Sequence, residues 1–366
     1  MSILPHKRSN PLLVCLLLAG TNLRAQGSSL PPTATALSTA QREAASLLTQ
    51  AALQRQQGNT ASAEAFLKRA LLLDPASTAA NDLYGNLLLD SQHLPEAMDH
   101  FEAALATNPH DTLARTGERS AAIALALRTR AAGDAEGALH CLQRALALLP
   151  NDPELLLDTG IQALSLHRLS LAHHALQTAL KLDPANAKTQ YALARVEVEQ
   201  EHFADAETHF KAYLQQHPDD ATAHYGLGHL YQMRQQTDQA KQEFAQSIAL
   251  QPIQTEAYYQ LGQMALDAHH DNEAQTSFEK TLSRMDTHAG ALTGMGILAY
   301  RAKDYPAAET YLSRAIAAAP DYQPAHYYLG LTLRRLGKQQ EAERELATAV
   351  TLAAKQQGKG QPIQEP

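Results

Sequence analysis

Residues 221–254 read ATAHYGLGHLYQMRQQTDQAKQEFAQSIALQPIQ, and their pattern recurs on both sides at a fixed interval. Thirty-four residues beyond Gly228 stands Gly262, then Gly296 and Gly330, while Ala240 is followed at the same interval by Ala274, Ala308 and Ala342. A period of this length marks a repeat architecture. Within the stretch, Tyr225, Leu227, Gly228 and Tyr231 share one helical stripe and Ala240, Phe244, Ser247 and Ile248 another. The spacing predicts two amphipathic helices with a polar turn over Gln235–Asp238. Pro252 ends the second, because it lacks an N–H and clashes one turn back. Glycine inside a helix costs about 1 kcal/mol relative to alanine, so Gly228 implies close approach of the partner helix, with Ala240 as the small surface it meets.

The residues Leu227-Gly228, Tyr231, Ala240, Phe244 and Pro252 resemble the tetratricopeptide-repeat (TPR) signature. The resemblance implies an all-α fold, an α-solenoid of about nine TPR hairpins forming a right-handed superhelix.

Stepping the register in both directions starts repeats at Ala44, Thr78, Arg119, Pro153, Ala187, Ala221, Thr255, Ala289 and Gln323. The twentieth position is always Ala, the eighth always Gly or Ala, and the twenty-fourth always Leu or Phe. Size is what the first two specify, and the third fills the space they leave. Proline closes seven repeats, whereas Asp286 and Ala354 stand in its place in two. One interval departs from 34: Thr78 to Arg119 is 41, with the extra residues near His110–Glu118. Seven residues make almost two helical turns, so an N-terminal extension of the next helix keeps its buried stripe in phase; Gly117 favours the competing reading, an added loop. Stability is expected from nearest-neighbour stacking. The solenoid then occupies 44–356, after a flexible Ser/Pro/Thr-rich linker over 26–43 and before a disordered polar tail over 357–366. Because the last second helix keeps Leu346, Val350 and Leu352 with no capping helix evident after it, the final repeat is expected to fray or to self-associate.

Met1 to Ala25 reads as a secretory signal peptide: His6, Lys7 and Arg8, an apolar run Leu12–Leu18, then Leu23-Arg24-Ala25 before Gln26. The apolar run is short for a membrane span, so the expectation is a periplasmic or secreted protein with no stable span after cleavage; the alternative is an uncleaved membrane anchor. Cys15 in mid-run, after Val14, argues against lipid modification. Loss of the segment removes three basic residues and no acid, taking the net charge from −8 to −11. That balance argues against nucleic acid as partner, since phosphate binding relies on Lys and Arg. Cys141, then the sole cysteine, reads as a packed thiol.

No segment remains for a catalytic domain. The chain holds no G-x-x-x-x-G-K-[ST], no G-x-S-x-G and no H-E-x-x-H, and the expectation is a non-enzymatic protein without cofactor. The pairs His173-His174 and His269-His270 point about 100° apart on a helix and do not converge on a metal.

The resemblance also implies that first helices line a concave groove, with the fifth position of each repeat projecting into it. There stand Tyr191, Tyr225, Tyr259, Thr293 and Tyr327, joined one turn on by Arg195, His229 and Gln263. Tyrosines for stacking and polar groups for a backbone suit a protein or peptide partner. Scaffold consensus explains the same tyrosines. Earlier repeats place Leu48, Asp82, Ile123 and Leu157 at this position, so the groove site is expected in the C-terminal half. Asn86, facing Asp82, does not reproduce the Lys–Asn carboxylate clamp of some family members. The functional expectation is an exported scaffold for protein–protein interactions in the bacterial envelope, assisting assembly of surface or secretion machinery. The alternative is an accessory subunit of a polysaccharide synthesis or export complex.

Overall fold

The computed structural model describes residues 38–359, so the predicted signal and the linker up to residue 37 lie outside the described residues. These form eighteen α-helices and no strand. Two compact units divide at Pro75 and Ala76.

The first unit holds one hairpin, α1 (Thr39–Gln56) and α2 (Thr60–Leu73). Helix α1 starts five residues ahead of Ala44, because Ser38 caps it by accepting from the Gln41 amide while the Gln41 side chain accepts from the Ser38 amide. The first five residues of the repeat's approach, assigned to the linker, are thus helical. Ala51 and Leu67 are fully buried between the two helices.

The second unit stacks eight hairpins: α3 (Thr78–Asp90) and α4 (Leu94–Thr107), α5 (Thr112–Ala131) and α6 (Ala135–Leu148), α7 (Pro153–Ser165) and α8 (Leu169–Leu182), α9 (Ala187–Glu199) and α10 (Phe203–Gln216), α11 (Ala221–Met233) and α12 (Thr237–Leu250), α13 (Thr255–Asp267) and α14 (Asp271–Leu282), α15 (Ala289–Arg301) and α16 (Tyr305–Ala318), α17 (Gln323–Arg335) and α18 (Gln339–Lys359). First helices begin behind side-chain caps where the sequence supplies them: Asp111, Asp152 and Asp220 each accept two backbone amides, and Ser77 and Asn186 one. Every hairpin turns at the same place. The fifteenth position has positive φ in all nine repeats, as Gly58, Gly133 and Gly337 and as Gln92, His167, Glu201, Gln235, His269 and Lys303. Six hairpins therefore hold a side-chain-bearing residue in the left-handed region, at a cost of about 1 kcal/mol each.

The small eighth position is explained by what lies over it. A Cβ at Gly228 would stand 2.9 Å from the Phe244 ring, and one at Gly262 would stand 2.7 Å from Phe278. The ring at the twenty-fourth position, rather than Ala240, is what approaches Gly228. On its other side the ring meets the next first helix. Gly294 would place a Cβ 2.4 Å from Phe278 and Gly226 one 2.9 Å from Phe210, so Phe278 is clasped by two glycines 32 residues apart. Phe101, Phe210, Phe244 and Phe278 are all but fully buried in consequence.

The long interval resolves as a helix. Helix α5 has 20 residues where α3 has 13, which is the seven-residue surplus. Gly117 lies inside it, with a would-be Cβ 2.3 Å from Phe101, and Gly85 clasps the same ring at 2.7 Å. Gly85 and Gly117 repeat the 32-residue spacing of Gly262 and Gly294, so the first half of α5 packs on α4 as a regular first helix does. The second half, with Ala126, packs on α6 at Leu142. One helix serves two registers, offset along its axis by about 10 Å at 1.5 Å per residue.

Helix α18 is likewise long, 21 residues, so the predicted tail is helical over its first three residues and 360–366 lie outside the described part. Leu352 is buried while Val350 is 71% exposed. Polar ties supplement the core. His224 and His326 each place Nδ1 2.6 Å from a carboxylate, Glu243 or Glu345, across their hairpin. Asn81 and His100 form the same tie with the partners exchanged, at 2.8 Å. Successive hairpins are joined by Arg168–Glu136, Arg234–Glu207, Arg301–Asp271 and Lys338–Glu309. These are exposed or partly exposed pairs, which solvent screens, so they add little to the core. Cys141 is half-buried on α6, where burial pushes its thiol up.

Candidate interaction groove on the first helices

Side chains at the fifth and ninth positions leave first helices on the same side one turn apart, as the helical repeat requires. Between α9 and α11 they enclose a cavity of about 570 Å³ lined by Tyr191, Arg195, Val198, Glu199, Phe210, Thr222, Tyr225, Gly226 and His229. The absent side chain at Gly226 is what lets the cavity reach the Phe210 ring. Tyr191 stands edge-on to Phe210 with centroids 5.9 Å apart and tilts against Tyr213 at 5.0 Å. Tyr225 packs on Phe244 at 5.6 Å and stacks on His229 at 6.5 Å. Both tyrosines are half-buried, one flank on the core and the other open. Burial pushes both phenols up and the His229 imidazole down, which keeps all three uncharged near neutrality. Arg195 is exposed at the mouth and makes no ion pair with a described residue. The cavity therefore offers apolar and aromatic walls, two phenolic hydroxyls, and from α9 a guanidinium and, one turn on, the Glu199 carboxylate.

The remaining predicted groove residues lie elsewhere. Tyr259 packs on Phe278 and on His288, with centroids 4.6 Å apart in the second pair. A Cβ on Gly290 would meet its ring at 2.7 Å, and burial, with Tyr322 nearby, raises its phenol far above the usual range. Residues of the next two repeats thus reach Tyr259, which stays half-buried like Tyr191 and Tyr225. Gln263 is turned to its own helix, donating to Asp267 at 3.4 Å. Tyr327 is 44% exposed, with its ring edge-on to Tyr328. Four of the seven predicted residues share one cavity and three do not. Sequence reasoning missed Val198, Glu199, Phe210, Thr222 and Gly226 as lining residues; the glycine sixteen residues beyond a twenty-fourth-position Phe was the available signal.

A second cavity, about 480 Å³, lies between α14 and the hairpin α15–α16, lined in part by Asp271, Gln275, Met295, Leu298, Arg301 and Tyr311. It opens beside the second helices and carries none of the predicted residues. No group of three or more His, Cys, Asp or Glu able to hold a metal occurs among the described residues.

Helical hairpins at a 34-residue interval, each with a leucine or phenylalanine seated on a small residue, are the substance of one repeat family, and tetratricopeptide-repeat models match residues 54–120, 163–227, 197–265 and 293–358. The chain belongs to the tetratricopeptide-repeat family. The TPR solenoid resembles solved structures at the level of fold. PilF of Pseudomonas aeruginosa is 20% identical with a TM-score of 0.51, over 58% of this chain and 96% of that one. PilW, described as a type IV pilus biogenesis factor, is also 20% identical at 0.51, over 56% and 94%. The Cut9–Hcn1 hetero-tetramer of APC/C is 15% identical at 0.52, over 81% and 57%. No match to a curated protein was found. The TPR fold serves as a scaffold for protein interaction, and no enzymatic family matches this chain. Among the described residues, no helix is long and apolar enough to cross a membrane.

Proposed function

We propose that this TPR protein is an exported scaffold that holds a protein partner in the bacterial envelope, in the assembly of surface or secretion machinery. The cavity between α9 and α11 is the observation that carries the binding half of this reading. It exposes aromatic surface beside an unpaired guanidinium, the residue types that dominate binding energy at interfaces. The occupant it suits is an extended peptide whose apolar side chain enters between Tyr191 and Tyr225 and whose acidic group reaches Arg195. Export rests on the signal-like pattern of residues 1–25. PilW's part in type IV pilus biogenesis is that protein's own; it makes envelope assembly a use to which such a fold is put.

The test is capture of partners from envelope extracts by the chain beginning at Gln26, followed by the double substitution Tyr191→Ala and Arg195→Ala. Affinity for the captured protein is expected to fall by about tenfold to a hundredfold, the span of one or two interface anchors. Unchanged affinity in a folded variant removes the cavity from the reading. Retention on a glycan resin in place of protein capture supports the polysaccharide-complex alternative instead.

A further inference from the structure

Where a first helix meets the preceding ring, the residue after the clasping glycine is apolar: Leu227 after Gly226, Met295 after Gly294. After Gly117 it is Glu118. Its side chain is wholly buried, 0% exposed, and neither carboxylate oxygen has a hydrogen-bond partner. An ionised carboxylate in such a place costs far more than a protonated one. The charged groups facing it come from each neighbour. Helix α4 brings Asp99 and Glu102, and α6 brings Arg144. The Arg144 guanidinium is committed elsewhere, to Glu102 and Asp99 at 2.5 Å each, so it ties α6 to α4 without serving Glu118. At the start of α7, the cap Asp152 and Glu154 are taken up by Arg119, the next residue along; on α3, Asp82 faces Asp111, the cap of α5.

We propose that Glu118 is a protonated joint: α4, α5 and α6 pack only around its uncharged carboxyl, and loss of that proton loosens this one junction of the solenoid. The junction is the place where α5 changes register, so the group sits at the single irregular step of the stack. Burial, then the nearby Glu102, pushes Glu118 from its ordinary 4.5 up to about 8. A carboxyl whose value is higher packed than opened favours the packed state at low pH. That advantage is complete below the opened value, falls by about tenfold per pH unit between the two, and is gone above the packed value. Near neutrality the junction is part-way down this slope.

Hydrogen exchange of the full chain at pH 6 and pH 8 reads the effect, with peptides of α11 and α12 as the internal reference for the chemical pH dependence of exchange. Peptides of α4, α5 and α6 are expected to lose at least tenfold more protection than the reference as the pH rises. Glu118→Leu, which restores the apolar residue of the regular repeats, is expected to abolish that difference, and Glu118→Gln to do the same should the leucine variant not fold. Asp82 is retained in every variant, so its own titration cancels. No excess loss in the unaltered chain, or the same loss in whichever variants fold, overturns the proposal.

Discussion

The junction of α3, α4 and α5 and the junction of α9, α10 and α11 are built on one plan and present opposite chemistry. In each, a phenyl ring is clasped by small residues: Gly85 and Gly117 on Phe101, Ala194 and Gly226 on Phe210. In each, the fifth and ninth positions look out over that ring. At the C-terminal junction these are Tyr191, Arg195, Tyr225 and His229 around an open cavity. At the N-terminal one they are Asp82 and Asn86 and, counted from Thr112 in the register that the first half of α5 keeps with α3, Thr116 and Ser120. Asp82 is buried with Oδ1 unpartnered, and Asn86 donates to the Asp82 carbonyl rather than outward. Packing is set by volume beneath the helices and is therefore shared; recognition is set by what projects between them and is free to differ.

The largest test of the shared plan is truncation of the ring. Phe101→Ala and Phe210→Ala are each expected to lower unfolding free energy by about 3–5 kcal/mol in chemical denaturation. A loss confined to one of them breaks the equivalence. Next comes overpacking: Gly117→Val and Gly226→Val are expected to cost about 1–3 kcal/mol. The order should follow the contact, 2.3 Å at Gly117 and 2.9 Å at Gly226, so the larger loss belongs to Gly117. The reverse order would mean that the second ring has less room to shift than its neighbours suggest. The smallest effect sharpens the chemical difference. Burial, with Asp111 nearby, raises Asp82 from 3.8 to about 6, so its stabilising proton is lost as pH climbs across that window. Asp82→Asn is then expected to raise the thermal midpoint at pH 7, by an amount equivalent to about 1 kcal/mol, and to leave it unchanged at pH 3.5. A gain at both values would point to packing instead of charge.

Much of this was legible beforehand because volume recurs at fixed intervals. The Ala, Gly and Leu/Phe positions located every hairpin, and the seven-residue surplus had the length of two turns. Gly117 pulled toward a loop, since glycine marks both turns and close approaches; only Phe101 above it decides between them. The fifteenth-position turn was visible in Gly58, Gly133 and Gly337 alone. In six hairpins the left-handed conformation is imposed by the packing of two helices, four times on Gln, Glu or Lys, which have no local preference for it, and twice on His.

The amino-acid sequence by itself determined the repeat, its register and the large apolar residue, Leu or Phe, at each interface, because a helix pair tolerates a narrow range of size at each buried position. Only the tertiary structure decided which tyrosines share a cavity. Tyr191 and Tyr225 stand across a gap left open by Gly226, while Tyr259, at the same position of its repeat, is met by Gly290 and Tyr322 from two later hairpins. The burial of Glu118 is of the same kind. Its neighbour Gly117 carries a periodicity, but the side chain is enclosed by α4 and α6 arriving in two registers on one helix, a condition no single position in the sequence encodes.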